Sequence, residues 1–116
     1  MITMMELGKP KKRGYNVRAC GSALWDLENY LELIERNPEL INKVMGSAEF
    51  REVKNACTPD ISMAVESSLA ALIERAKDFG LDSPEAQGAL IRAESFVKGL
   101  AKGLSSFDEF IGRPLL

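Results

Sequence analysis

The sequence predicts an all-α protein, a single-domain helical bundle of about four to five helices with a basic N-terminal arm. From residue 22 onward, apolar residues recur at the three- and four-residue spacing of amphipathic helices. No segment alternates apolar and polar residues, and neither Asn-Gly nor Asp-Gly, the usual hairpin dipeptides, occurs. A chain of 116 residues fits one domain, so we interpret residues 1–18 as the arm and residues 19–116 as the helical domain.

The first two helices are predicted from a change of pattern at a proline. Residues 22–36 form the first helix, with Ser22 as its N-cap and one apolar face of Leu24, Leu27, Leu31 and Ile34. The residue before a proline avoids the helical conformation, so this helix is expected to end at Asn37. Pro38 then suits the first position of a short second helix, residues 38–45, because its missing N–H costs nothing there.

A third helix is predicted over residues 48–57, capped by Ser47, with Phe50, Val53 and Cys57 on its inward side. Two stronger signals for a helix N-terminus follow. Thr58-Pro59-Asp60 and Ser83-Pro84-Glu85 each combine a hydroxyl cap, a proline and an acid that complements the helix dipole.

These starts predict two long helices over residues 59–79 and 84–104. Gly80 is the expected glycine stop of the first. Ser105 and Ser106 are expected to interrupt the second. The inward stripe of the first long helix is predicted as Ile61, Val65, Ser68, Leu72, Ala76 and Phe79, and that of the second as Ala86, Leu90, Ala93, Val97, Leu100 and Leu104.

Charge is divided unevenly between the arm and the rest of the chain. Residues 1–18 hold five basic residues and one acid, whereas the remainder holds ten basic and sixteen acidic residues. The basic residues Lys9, Lys11, Lys12, Arg13 and Arg18 could contact a phosphate backbone, and this predicts weak nucleic-acid binding as an alternative function. The arm could equally be a solubilising tail, or dock onto an acidic body, its own or a neighbour's.

Two surfaces are predicted to contact another chain. Trp25 and Leu33 fall opposite the apolar face of the first helix, on the side that also carries Glu28. The last long helix has a stripe of small residues, and interior glycines cost roughly 1 kcal/mol each relative to alanine unless another helix approaches closely. That glycine stripe is Gly88, Ser95, Gly99 and Gly103. We expect a homodimer, or a complex with a protein partner, through one of these surfaces.

Paired carboxylates give the only catalytic alternative. Glu32 and Glu35 lie on one predicted helix, and Glu49 and Glu52 lie on a later one, each pair spaced to share a helix face. This ExxE…ExxE spacing resembles the ExxE…ExxD pattern of the all-α nucleotide pyrophosphohydrolases of the MazG type, with Glu52 in place of the final aspartate. The resemblance covers about 21 residues and implies Mg²⁺ held by the four carboxylates. The same residues also fit two solvated helix faces, which is the interpretation we favour.

Residues 76–86 loosely resemble a helix-turn-helix pattern around Gly80. The first turn of the second helix would, however, be acidic, with Glu85, and its first basic residue would be Arg92, whereas DNA readout uses cationic or amide side chains in that turn. An ordinary antiparallel helical hairpin is therefore expected.

The remaining composition limits the chemistry. The chain has no histidine, which removes the usual proton-transfer group and metal ligand. Cys20 and Cys57 are expected to be reduced thiols, at least one of them buried, and no secretory signal or membrane-spanning run is recognised. The sequence thus favours a small cytoplasmic protein without a cofactor, which acts by binding and associates with itself.

Overall fold

The computed structural model describes residues 17–112, and the side chains of residues 17–104. The elements in chain order are α1 (Val17–Arg36), a 3₁₀ segment (Pro38–Gly46), α2 (Ala48–Ala56), α3 (Pro59–Phe79) and α4 (Pro84–Gly112). The predicted all-α fold is confirmed: the described part of the chain is helical and contains no strand.

Helix α1 begins at Val17, five residues earlier than predicted, so Ser22 lies inside the helix and Arg18 lies in its first turn. The helix starts early because its first turns pack against the rest of the bundle: Cys20 and Gly21 at this end are buried. The predicted end is confirmed: the Asn37 N–H donates to the carbonyl of Ile34 at 3.0 Å, and Pro38 follows.

The predicted caps of the later helices are confirmed. The hydroxyls of Ser47, Thr58 and Ser83 accept from the backbone N–H groups three residues ahead, at 3.2, 3.5 and 3.1 Å. The N–H of Gly80 donates to the carbonyl of Ala76 at 2.8 Å, and its φ of 107° is a conformation that favours glycine.

Two predictions about the long helices are wrong. Helix α4 continues through Ser105 and Ser106 to Gly112, because serine is only slightly less favourable than alanine inside a helix and does not stop one. Phe79 is 51% exposed rather than inward, since the buried stripe of α3 is centred on Val65, Leu69, Leu72 and Ala76.

One core joins all the elements. Helix α1 packs chiefly against α4 and α2, while α3 packs against α4 and the 3₁₀ segment. The connection from α3 to α4 spans only residues 80–83, so the two form the helical hairpin expected around Gly80. The largest fully buried side chains are Phe50, Leu24, Leu27, Leu31, Ile34, Ile41, Leu69 and Leu72.

Cys20 and Cys57 form a disulfide, so the prediction of reduced thiols is wrong. The extra N-terminal turns of α1 bring Cys20 beside the residue that follows α2, with the two Cα atoms 4.7 Å apart. Both residues are buried, as predicted for at least one of them. The bond fixes the start of α1 to the end of α2.

Within the described residues, no helix has the length and apolar composition that crossing a membrane requires.

Candidate functional site

A groove of about 480 Å³ runs between α1 and α2 on the outside of the bundle. Helix α1 contributes Asp26, Asn29, Tyr30 and Leu33 to it, and α2 contributes Glu49 and Glu52. Three of these side chains are carboxylates, and no lysine or arginine lines the groove among the described residues. Its field therefore attracts cations.

The groove also offers apolar and aromatic surface. Leu33 is 44% exposed and so presents aliphatic surface to the groove. The Tyr30 ring packs against the core, and burial, together with the nearby charge of Glu49, raises the pKa of its phenol. A ligand in this groove would contact a leucine and a tyrosine as well as carboxylates.

A second groove, of about 310 Å³, lies at the beginning of α1. It is lined by residues that include Val17, Ser22, Trp25 and Asp26, and by Leu104 of α4. Because Asp26 lines both grooves, they form one continuous surface along α1. We call this surface, from Trp25 through Asp26 and Leu33 to Glu49 and Glu52, the acidic track.

A different set of carboxylates lies between α1 and α4. Glu28 is 2% exposed, and its Oε2 lies 3.8 Å from the Nζ of Lys98, with no hydrogen-bond partner in the described part of the chain. Glu94 of α4 likewise has a buried Oε2 without such a partner there. Glu28 and Glu94 interact with the exposed Glu32 and Glu35 of α1. We call Glu28 and Glu94, whose Oε2 atoms are buried, the buried carboxylate cluster.

Burial is the main reason why the acids of this cluster hold protons. It raises the pKa of Glu28 to about 7, with further increases from a hydrogen bond to Glu32 and from the Glu32 charge, while Lys98 acts in the opposite direction. Burial also raises the pKa of Glu94 to about 8, helped by a hydrogen bond to Glu35 and by the neighbouring carboxylates. At neutral pH the cluster therefore retains protons that ordinary glutamates lose.

The four carboxylates of the hydrolase hypothesis belong to these two separate regions. Glu32 and Glu35 interact with the cluster on the α4 side of α1, whereas Glu49 and Glu52 line the groove toward α2. Over the residues that the structure describes, no three or more acids or cysteines are grouped so that they could hold a metal ion.

The glycine stripe lies away from the core of this chain. A Cβ added at Gly99 or Gly103 would meet no atom within 4 Å, and one added at Gly88 would lie 3.5 Å from the Arg92 guanidinium. Ser95, on the same side of α4, is exposed. No other part of the described chain therefore covers Gly99 or Gly103, and the predicted contact with another chain stays a prediction.

Of the residues predicted to bind nucleic acid, only Arg18 lies within the described part of the chain. Lys9, Lys11, Lys12 and Arg13 lie outside the described residues, whereas Arg18 belongs to the first turn of α1 and lines the groove beside Trp25.

The sequence pattern did not predict Glu28 and Glu94 as site residues, because the single apolar stripe of α1 places Glu28 on the outer side of the helix. A signal was present: Gly21, Glu28 and Glu35 are spaced by seven residues and so lie along one side of a helix. A Cβ added at Gly21 would lie 3.9 Å from Leu104, and Glu28 pairs with Lys98, so this row faces α4. A helix that packs against neighbours on two sides buries more of its circumference than a single apolar stripe indicates.

Comparisons of the chain with protein-family models, with curated proteins and with solved structures find no match.

Proposed function

We propose that this chain is a small helical binding protein whose acidic track takes a basic segment of a protein. One observation carries the proposal: three carboxylates and two partly exposed apolar side chains, Trp25 and Leu33, share one continuous surface along α1 and α2. Lysine and arginine match such a surface, because their charged ends pair with carboxylates while their aliphatic stems cover apolar groups.

A protein segment fits this surface better than a nucleic acid does. Asp26, Glu49 and Glu52 would repel phosphates, so nucleic-acid binding would depend on the four cations outside the described residues. The hydrolase alternative lacks support for another reason, because its two carboxylate pairs line different regions of the bundle.

The homodimer expected from the sequence stays a proposal, and a second copy, which carries the same basic segment, is one of the outside partners that the track could take. The cytoplasmic location is a proposal with an argument against it. A disulfide such as Cys20–Cys57 is typical of oxidising compartments and rare in the cytosol.

The experiment uses Trp25 as its reporter, because it is the only tryptophan of the chain and lies at one end of the track. The probe is a synthetic peptide with the sequence of residues 7–16, which contains four cations, no acid and no tryptophan. We expect a change of Trp25 fluorescence with a dissociation constant on the order of 1 mM for the full chain, weakening as salt is added. A peptide in which the four cations are replaced by glutamate serves as the matched probe and should not bind.

Variants locate the binding on the protein. Glu49→Gln combined with Glu52→Gln should raise the dissociation constant at least roughly fivefold, because two ion pairs of about 0.5–1 kcal/mol each are lost. Glu66→Gln combined with Glu74→Gln removes the same charge from exposed positions of α3 and should leave the affinity unchanged. Equal effects of the two double variants would mean that net charge alone attracts the peptide, and the proposed site would be wrong.

A further inference from the structure

The acidic track begins where a strongly basic stretch of the same chain enters the fold. Residues 9–13 contain Lys9, Lys11, Lys12 and Arg13, and only three residues separate them from Val17, the first residue of α1. Val17 itself lines the groove that continues through Asp26 into the acidic part of the track. Resting on the proposed function, we propose that residues 9–13 occupy the acidic track of their own chain and compete there with outside partners.

Chain length permits this contact. Asp26 lies nine residues after Val17, so about 13.5 Å separates them along the helix axis at 1.5 Å per residue. Lys12 lies five residues before Val17, and an extended chain of that length reaches roughly 17 Å. The basic residues can therefore lie beside Asp26 when the preceding chain runs back along α1, and Lys9 and Lys11 can reach further, toward Glu49 and Glu52.

The short connection also favours the same chain over a second copy. A segment joined by a few residues has an effective concentration in the millimolar range at a site within its reach. A second copy of the chain reaches that concentration only in a millimolar solution. At micromolar protein, most tracks are therefore occupied by their own basic segment.

The acidic track and the basic residues 9–13 are complementary in charge, and the track is accessible. The track presents Asp26, Glu49 and Glu52, and Asp26 and Glu52 are exposed. Arg18 is the only base that lines it within the described residues, and it lies at the end nearest Val17. A partner must displace the chain's own basic segment, which makes the segment an internal competitor that limits binding to more basic or longer partners.

Zero-length cross-linking tests which chain supplies the segment. A carbodiimide joins a lysine amine to a neighbouring carboxylate as an amide, with loss of water. We would treat an equal mixture of unlabelled and ¹⁵N-labelled full chain at about 10 µM and identify the joined peptides by mass spectrometry. We expect Lys9, Lys11 or Lys12 joined to Asp26, Glu49 or Glu52, with both peptides carrying the same label. Pairs of mixed label would overturn the proposal and identify a second copy as the occupant.

A competition experiment measures the consequence. In the full chain, Lys11→Glu combined with Lys12→Glu should tighten binding of the residue 7–16 peptide roughly tenfold, if the free site has a dissociation constant about a tenth of the effective concentration. Lys77→Glu combined with Lys102→Glu makes the same change of net charge at exposed positions of α3 and α4. It should leave the peptide affinity near that of the unchanged chain.

The two experiments separate failure of this inference from failure of the proposed function. If the peptide binds the track but the arm variant and its control bind it equally, the track is a binding site that residues 9–13 do not occupy. If neither the unchanged chain nor the arm variant binds the peptide, the proposed function is wrong as well.

Discussion

The two sides of α1 show how differently the same kind of side chain behaves on one helix. Asp26 and Glu28 are two residues apart, which places them about 160° apart around the helix axis. Asp26 is exposed and lines the acidic track, while Glu28 is 2% exposed and belongs to the buried carboxylate cluster. The outer acid is available to an outside cation, and the inner one has Lys98 as its nearby cation.

This difference shows that burial, more than the number of acids, decides what a carboxylate does. The acids of the track lie at the surface, where they attract cations. The buried pair Glu28 and Glu94 avoids the cost of an ionised group away from water by retaining protons. One side of α1 therefore carries the proposed binding surface, and the raised pKa values on the other side make stability depend on pH.

The largest effect should come from removing the disulfide. It joins α1 to the end of α2, the two helices that form the acidic track, and does not involve α4. Replacing Cys20 and Cys57 by serine opens a loop closed over a sequence separation of 37 residues. We expect the free energy of unfolding to fall by about 3–4 kcal/mol, measured by urea unfolding. Peptide binding at the track should weaken, because the bond fixes α2 to α1, while the pH dependence of stability should persist. An unchanged urea midpoint would contradict the prediction.

The next effect is the pH dependence of stability. For an acid with a raised folded-state pKa, the stabilisation is complete below the unfolded value and is lost as pH rises through the folded value. For Glu28 and Glu94 these folded values are about 7 and about 8, against the ordinary 4.5. The two shifts alone correspond to about 5 kcal/mol between pH 5.5 and 8.5. Because Glu94 is only half-buried and water screens it, we expect the free energy of unfolding to fall by about 3 kcal/mol over this range. The chain has no histidine, the side chain that usually titrates in this range.

Two substitutions, one in the buried carboxylate cluster and one on the acidic track, show which region causes the pH dependence of stability. Glu28→Gln keeps a hydrogen-bonding side chain without a titrating proton, so the decline with pH should become shallower and the protein should be more stable at pH 8.5. Glu52→Gln, on the track, should leave the decline unchanged. If both variants retain the full decline, Glu28 is not its source.

The smallest effect concerns the glycine stripe. A methyl group at Gly99 would meet no atom within 4 Å, and alanine favours a helix over glycine by about 0.5–1 kcal/mol. We expect Gly99→Ala to raise the melting temperature slightly, measured by circular dichroism, without changing the mass in solution. A lower melting temperature or a change of oligomeric state would show that another chain covers the stripe.

Local signals predicted much of the fold. The two Pro-containing helix starts located Pro59 and Pro84, and Gly80 marked the end of α3, because caps, prolines and glycines act through nearby backbone atoms. The early start of α1 and the continuation of α4 past Ser106 were missed. Packing decided the first, and the weak helix preference of serine gave no reliable sign of the second.

The candidate site was predicted less completely. Trp25 and Leu33 were identified from their place opposite the apolar face of α1, and both line the track. The sequence could not show that Asp26 lies with Glu49 and Glu52, because that depends on how α2 is placed beside α1. Nor did it reveal the partners of Glu28, which come from α4.

The sequence by itself determined the helical class, the caps, the core stripe of α1 and the concentration of positive charge before Val17. These features follow from helical periodicity, backbone hydrogen bonding and residue type, which act over a few neighbouring residues. Only the tertiary structure decided that Cys20 joins Cys57, that Glu28 and Glu94 share a buried region, and that the other acids form a track. Each of these depends on residues far apart in the chain, whose meeting is set by packing of whole helices around one core.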